Sequence, residues 1–209
     1  MQGGTGNDVY GVDNAFDSVT EAADAGTDRV NSVINYALGA NVETLALYGA
    51  AINGTGNALT NVMIGNALGN SLRGEGGADR LDGGLGADFL RGGSGVDALR
   101  GGGGRDGFVF DTAATTAQRD IILDFVAVDD TIWLDNADFP LLGAAGALNP
   151  AAFKVIGAGG AIDSNDLVVY NVANGALFID LNGALAGGLA QLATLVMRPA
   201  LTASDFRVF

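Results

Sequence analysis

The 209-residue chain has no cysteine and no histidine, only 3 prolines, and 10 basic residues against 24 acidic ones. Without cysteine there is no disulfide and no thiol nucleophile. Without histidine there is no histidine-based zinc site and no Ser-His-Asp triad. The formal charge of -14 repels nucleic acid and anionic membranes and favours cations. No apolar run reaches the length of a membrane-spanning helix, so membrane insertion is not expected. The first residues also lack the basic and apolar regions of a signal peptide, so any export address is expected elsewhere. Apolar residues make up 48%, too many for a disordered acidic tail. The anomaly is glycine: 34 residues with so little proline argue against collagen and for a backbone that turns often.

The glycines are periodic. From Gly65 the chain falls into consecutive nine-residue units: GNALGNSLR (65–73), GEGGADRLD (74–82), GGLGADFLR (83–91), GGSGVDALR (92–100) and GGGGRDGFV (101–109). The sixth position is Asn70, Asp79, Asp88, Asp97 and Asp106, and the eighth is Leu72, Leu81, Leu90, Leu99 and Phe108. One earlier unit, GNALTNVMI (56–64), keeps the frame with Asn61 and Met63, and an isolated copy, GGTGNDVYG (3–11), places Asp8 and Tyr10 likewise. Glycines at the first, second and fourth positions are expected to take positive φ in a tight turn. The aspartate then ends the turn, and one large apolar side chain follows on a short strand. A single unit cannot bury that side chain, whereas stacked units can. Two units then make a coil of 18 residues, with the apolar residues of both sides meeting inside.

Stacking brings sixth-position residues 18 apart onto one edge: Asn61, Asp79 and Asp97 on one side, Asn70, Asp88 and Asp106 on the other. At a strand spacing of about 4.8 Å such carboxylates repel unless a cation lies between them. Carboxylates and turn carbonyls form an oxygen-only cage, which suits Ca2+ better than magnesium. The candidate ligands are Asp8, Asn61, Asn70, Asp79, Asp88, Asp97 and Asp106, with the turn residues Gly74, Gly76, Gly83, Gly84, Gly86, Gly92, Gly93, Gly95, Gly101, Gly102 and Gly104. The pairs Asp79–Asp97 and Asp88–Asp106 are expected to be the cleanest, and sites using Asn61 or Asn70 weaker. A glycine-rich linker does not account for an apolar residue two places after each aspartate. Gly102, Gly104 and Gly107 satisfy G-x-G-x-x-G, but that fingerprint needs a strand before it and a helix after it and here lies within a run of turns.

Outside the repeats, Asp17-Ser18-Val19 and Asp28-Arg29-Val30 echo Asp8-Val9-Tyr10, and alternation at 29–33 and 42–47 precedes a turn signal at Asn53-Gly54. These features predict wider solenoid coils with Ile34, Leu45 and Leu47 in the core. Beyond Phe110, residues 120–125 and 130–134 read as two strands that would close the stack. Asp111, Asp120, Asp124 and Asp129 could complete a last cation site or be solvated strand-edge charges; Asp120 and Asp124 join the candidate ligands. Asn149-Pro150 opens a helical turn. A hairpin pairs 167–170 with 176–179 across Asn174-Gly175, and Gln191–Met197 reads as a strand.

With these motifs in view, the chain resembles the C-terminal portions of RTX proteins, including serralysin-type proteases and other substrates of bacterial type I secretion. The nonapeptides carry the first part of the resemblance. Asp120-Ile-Ile-Leu-Asp-Phe leading into Asp130-Thr-Ile-Trp-Leu, the segment 163–182 and the ending LTASDF carry the rest, and LGANVETLALYG is similar to the non-calcium coils of long members. The resemblance implies a β-roll with calcium along both edges, an uncleaved C-terminal secretion signal, transit through the type I exporter and an extracellular or cell-surface destination. Two departures stand out: Arg207 interrupts the apolar tail, and the serralysin zinc motif H-E-x-x-H is absent. A catalytic or adhesive domain is therefore expected upstream of Met1 if one exists, and Met1-Gln2 leading straight into a nonapeptide suggests a piece of a longer protein.

The expected fold is all-β, a parallel β-roll or β-solenoid with a C-terminal strand-rich capping and secretion region. Degenerate coils are expected at 1–55, the calcium-binding roll at 56–109 and the capping region at 110–209. No catalysis is expected, because the acidic residues are evenly spaced and no isolated pair fits glycoside hydrolysis. An adhesin or surface-layer module is the alternative, with Trp133 and Tyr170 or Phe178 touching a sugar or partner.

Overall fold

A computed structural model describes residues 1–115, 119–157, 162–183 and 187–209. The chain is an all-β, parallel β-solenoid of about nine turns, with no α-helix among the described residues. Its early strands are β1 (Val9–Val12), β2 (Arg29–Ser32), β3 (Tyr36–Ala37), β4 (Thr44–Leu47), β5 (Asn53–Thr55) and β6 (Val62–Ile64). The repeats supply β7 (Ser71–Gly76), β8 (Arg80–Leu85), β9 (Phe89–Ser94), β10 (Ala98–Gly103) and β11 (Gly107–Phe110). After them come β12 (Asp120–Ile122), β13 (Thr131–Leu134), β14 (Gly146–Ala147), β15 (Phe153–Ile156), β16 (Val168–Asn171), β17 (Ala176–Asp180), β18 (Leu189–Leu195) and β19 (Phe206–Val208).

From β2 to β13 alternate strands enter opposite sheets because each turn reverses the chain. One sheet runs β1-β2-β4-β6-β8-β10-β12-β18-β17-β16-β15, the other β14-β19-β13-β11-β9-β7-β5-β3. The pairing through the repeats is parallel and in register: Met63 with Leu81 and Leu81 with Leu99 in the first sheet, Leu72 with Leu90 and Leu90 with Phe108 in the second. Each of these pairs differs by 18 residues, the period of two nonapeptides. The eighth-position side chains Met63, Leu72, Leu81, Leu90, Leu99 and Phe108 are wholly buried between the sheets. Ile122, Leu195, Ile132 and Phe206 extend the same rows beyond the repeats.

Parallel pairing gives way at the later strands. β17 is antiparallel to both of its neighbours, β16 and β18, and β14 runs antiparallel to β19. The β16–β17 hairpin turns at Asn174-Gly175, where Gly175 takes φ 79°, and Pro150–Ala152 form a 3-10 turn whose N-cap Asn149 accepts the Ala151 N–H. Leu45 and Leu47 are buried, and Ile34 packs against the core part-buried. Asn53-Gly54 is not a turn: it lies on β5, with Gly54 paired to Tyr36 and Leu72. Gly54 occupies an inward position whose missing side chain leaves room for Leu45, Met63 and Leu72. Tyr170 is buried and Trp133 lies elsewhere, beside Phe89 and Phe209, so the aromatic grouping on the surface differs from the one expected. Phe178 is only part-buried on β17.

Candidate metal sites along the coil edges

Each sixth-position residue sits immediately before its strand, where the turn ends. The Asp79 N–H donates to Asp97 Oδ1 at 2.7 Å, and the Asn61 N–H donates to Asp79 Oδ1 at 2.7 Å. On the opposite edge the Asn70 N–H donates to Asp88 Oδ1 at 2.6 Å and the Asp88 N–H to Asp106 Oδ1 at 2.9 Å. Each carboxylate therefore reaches back one coil and spends one oxygen on a backbone amide. Both ladders continue past the repeats, Asp97 N–H to Asp120 Oδ1 and Asp106 N–H to Asp130 Oδ1, each at 3.0 Å.

The second oxygen behaves differently. Oδ2 of Asp79, Asp88 and Asp97 is buried without a hydrogen-bond partner among the described residues. A buried carboxylate oxygen left unpaired is costly, so these atoms need a proton or a cation. A side-chain carbon on Gly74 would collide with both Asp79 Oδ2 and the Gly92 carbonyl, and one on Gly83 with Asp88 Oδ2 and the Gly101 carbonyl. Carboxylate and carbonyl oxygens of successive coils thus converge on the same point. The donor set is oxygen only and anionic, which fits calcium.

Burial, above all, pushes Asp79 up to about 7, with the Asp97 charge adding to it against the lowering by the Asn61 N–H. Asp88 is pushed up to about 6 and Asp120 to about 7, again chiefly by burial. Asp97, Asp106 and Asp130 are raised for the same first reason. These carboxyls resist ionising in the folded chain unless positive charge is supplied.

The asparagine units close without such help. Asn61 Oδ1 accepts the Asn57 N–H at 2.7 Å while Nδ2 donates to the Val42 carbonyl at 3.3 Å. Asn70 Oδ1 accepts the Asn66 N–H at 2.7 Å and Nδ2 donates to the Ala51 carbonyl at 3.1 Å. Both atoms of each amide are engaged within the protein.

The turn glycines divide by role. Gly84, Gly86, Gly93, Gly95, Gly102 and Gly104 take φ between 95° and 144°. In the unit from Gly74 the left-handed residues are Glu75 (φ 76°) and Gly77 (φ 109°), and Gly76 between them is not left-handed. The expectation of positive φ at the first position does not hold: Gly74, Gly83, Gly92 and Gly101 have ordinary φ. They are glycine because the carboxylate of their own unit occupies the space of a Cβ.

Of the later acidic residues, Asp120 takes a ladder position. Asp124 instead accepts the Gly101 and Gly102 N–H groups, both at 2.9 Å, and lies 3.6 Å from Arg100. Asp111 pairs with Arg91 at 3.1 Å and Arg73 at 3.4 Å. Asp130, not Asp129, continues the second ladder, 24 residues after Asp106 where the repeats step by 18. Asp8 is paired through its N–H with Asp28 Oδ1 at 2.8 Å, so the Asp28 echo is a true coil position. Asp17 is not one: its Oδ2 closes a local turn by accepting the Asp13 and Asn14 N–H groups.

The family model for the RTX calcium-binding nonapeptide repeat matches residues 55–90 and 73–108. Residues 55–108 are RTX calcium-binding repeats. The match spans about a quarter of the chain and covers both carboxylate ladders from Asn61 and Asn70 to Asp97 and Asp106. No curated protein matches the sequence. No helix among the described residues is long and apolar enough to cross a membrane.

Proposed function

We propose that the chain is a calcium-dependent folding module of a larger protein exported by the type I pathway, with Asp79, Asp88, Asp97, Asp106 and Asp120 as the principal carboxylate ligands. The unpartnered Oδ2 atoms of Asp79, Asp88 and Asp97 carry this reading. Where free calcium is scarce, their stacked charges oppose coil closure and conformational entropy keeps the chain open, a state suited to threading an exporter. Extracellular modules bind calcium at roughly 10⁻⁴–10⁻³ M. At that level, neutralising the ladders lets Leu72, Leu81, Leu90 and Leu99 close the core, so folding is coupled to export. Asn61 and Asn70 stand outside the ligand set, and catalysis is assigned to no residue of this chain.

Circular dichroism during a calcium titration from chelator upward, with magnesium as control, tests the reading. A steep, calcium-selective gain of β-signal is expected. Full β-signal in chelator at pH 8 overturns it.

A second reading, an adhesive or surface-layer module, has one observation in its favour: Phe89, Arg91, Val109, Trp133 and Phe209 line a groove of about 210 Å³ on the outer face of the second sheet. Part of that aromatic strip already has a structural use, since Phe89 and Trp133 flank the bare strand position of Gly107. Saturable glycan binding, lost in Trp133→Ala, is the outcome that favours this reading.

A further inference from the structure

Outside the matched repeats, three carboxylates meet at the first coils. Ligand oxygens of Asp8, Glu21 and Asp28 all lie within 4.8 Å of one another. Glu21 is 7% exposed and Asp28 1% exposed, and no ion pair involves any of the three among the described residues. The nearby guanidinium of Arg29 is turned away, its Nε donating to Asn31 at 2.7 Å and its NH2 to Tyr48 at 3.1 Å.

Each backbone contact uses one carboxylate oxygen. The Asp8 N–H donates to Asp28 Oδ1 at 2.8 Å, and the Gly3 N–H donates to Glu21 Oε1 at 3.0 Å. Oδ2 of both Asp8 and Asp28 is buried and unpartnered. An independent group points to the same place. Tyr10 is 6% exposed, and its phenol oxygen is buried with no hydrogen-bond partner. A side-chain carbon on Gly3 would collide with both Asp8 Oδ2 and Tyr10 Oη, so the phenol faces the carboxylate across the space that this glycine leaves open.

We propose that Asp8, Glu21 and Asp28 form a calcium site, with the Tyr10 phenol facing it, that fastens residues 3–10 to residues 21–28. Buried anionic oxygens without a counter-charge require a cation, and an all-oxygen set of flexible carboxylates is suited to calcium. The site differs from those of the roll in taking a glutamate from a connection with no nonapeptide spacing.

The test uses the whole chain. Calcium stoichiometry is measured by calorimetry, and terbium emission is excited through tyrosine, because Tyr10 lies beside the site. Glu21→Gln and Asp28→Asn retain the oxygens that accept the Gly3 and Asp8 N–H groups. Each is expected to lose one calcium equivalent, while the calcium-induced β-signal of the roll persists. Tyr10→Phe preserves all three carboxylates and the ring, and is expected to lower the tyrosine-sensitised terbium emission at least several-fold. Unchanged stoichiometry in the two acidic variants, or unchanged emission in Tyr10→Phe, overturns the site. Because the three substituted residues and all four tyrosines lie outside 55–108, the terbium readout stays readable even if the roll fails to respond to calcium.

Discussion

Acid should substitute for calcium in folding this chain. Asp79 titrates at about 7 in the folded chain against an ordinary value of 3.8, a rise of about three pH units. At about 1.4 kcal/mol per unit, keeping Asp79 ionised in the closed coil costs on the order of 4 kcal/mol. Asp120, also at about 7, carries a similar cost, and Asp88, at about 6, on the order of 3 kcal/mol. The groups are coupled through shared ladders, so the costs do not simply add. Even one of them is a large share of the roughly 5–15 kcal/mol that holds a native domain together.

The direction follows from which state holds the proton. Below pH 3.8 folded and unfolded chains are both protonated at these positions and there is no penalty. As pH rises the unfolded chain ionises first, the folded chain keeps its protons, and stability falls until the folded values near 6 and 7 are passed. In chelator the β-signal should therefore be absent at pH 8 and appear as pH falls toward 5. At pH 5 the calcium midpoint should also be higher, because binding must displace protons. Self-repulsion of a chain of net charge -14 predicts the same trend for another reason. Salt separates the two: about 1 M KCl shortens the Debye length to about 3 Å and suppresses exposed repulsion, but reaches buried carboxylates far less. Folding in chelator at pH 8 on adding salt alone, or no folding at pH 5, would refute the reasoning.

Other perturbations separate the parts of the coil. Gly92→Ala places a methyl against the Asp97 carboxylate, whereas Gly11 has nothing within 4 Å. The first should raise the calcium midpoint severalfold and the second leave it unchanged, read by calorimetry. Leu90→Ala empties a wholly buried position between the sheets and should cost about 2–5 kcal/mol in urea unfolding of the calcium-loaded chain. Asn70→Asp replaces the Nδ2 donor to the Ala51 carbonyl with an unpaired oxygen. It should make the adjoining coils more responsive to calcium, seen as a larger rise in thermal midpoint between partial and saturating calcium. Asn70→Ala should lose about 1–3 kcal/mol in urea unfolding of the calcium-loaded chain.

The regular part of the solenoid was legible because one residue type recurs with one function. An apolar residue every nine positions implies a shared interior, and Met63, Leu72, Leu81, Leu90, Leu99 and Phe108 are all there. The pairing of residues 18 apart follows from the same period, as the Asp79–Asp97 and Asp88–Asp106 bonds show. Where the frame breaks, spacing loses its force. The longer step of 24 residues from Asp106 hid the ladder role of Asp130, and Glu21 reaches Asp8 and Asp28 from a segment with no repeat at all. Asn53-Gly54 has the composition of a hairpin turn, yet the solenoid needs a strand there, and the surrounding leucines and methionine fill the glycine's empty side.

The contrast between asparagine and aspartate at the sixth position shows how one atom divides the solenoid. Asn61 and Asp79 occupy equivalent places before β6 and β8, in parallel strands and in register. Both present one side-chain oxygen to the backbone. Asparagine's other atom is a donor, and the carbonyl of the preceding coil receives it at Val42 for Asn61 and at Ala51 for Asn70. In aspartate the atom that reaches the preceding coil is Oδ1, which accepts an N–H there. Asp79 Oδ2 is left beside its own Gly74 and the Gly92 carbonyl with no donor, in the place where Asn61 Oδ1, beside Gly56 and the Gly74 carbonyl, accepts the Asn57 N–H. Burial raises the cost of that mismatch, and the next aspartate along the ladder adds its own charge. The same backbone therefore holds coils that satisfy themselves and coils that require a proton or a cation. The boundary falls between Asn61 and Asp79 on one edge and between Asn70 and Asp88 on the other, so the unpartnered carboxylate oxygens begin on adjacent half-coils and run in one direction along the roll.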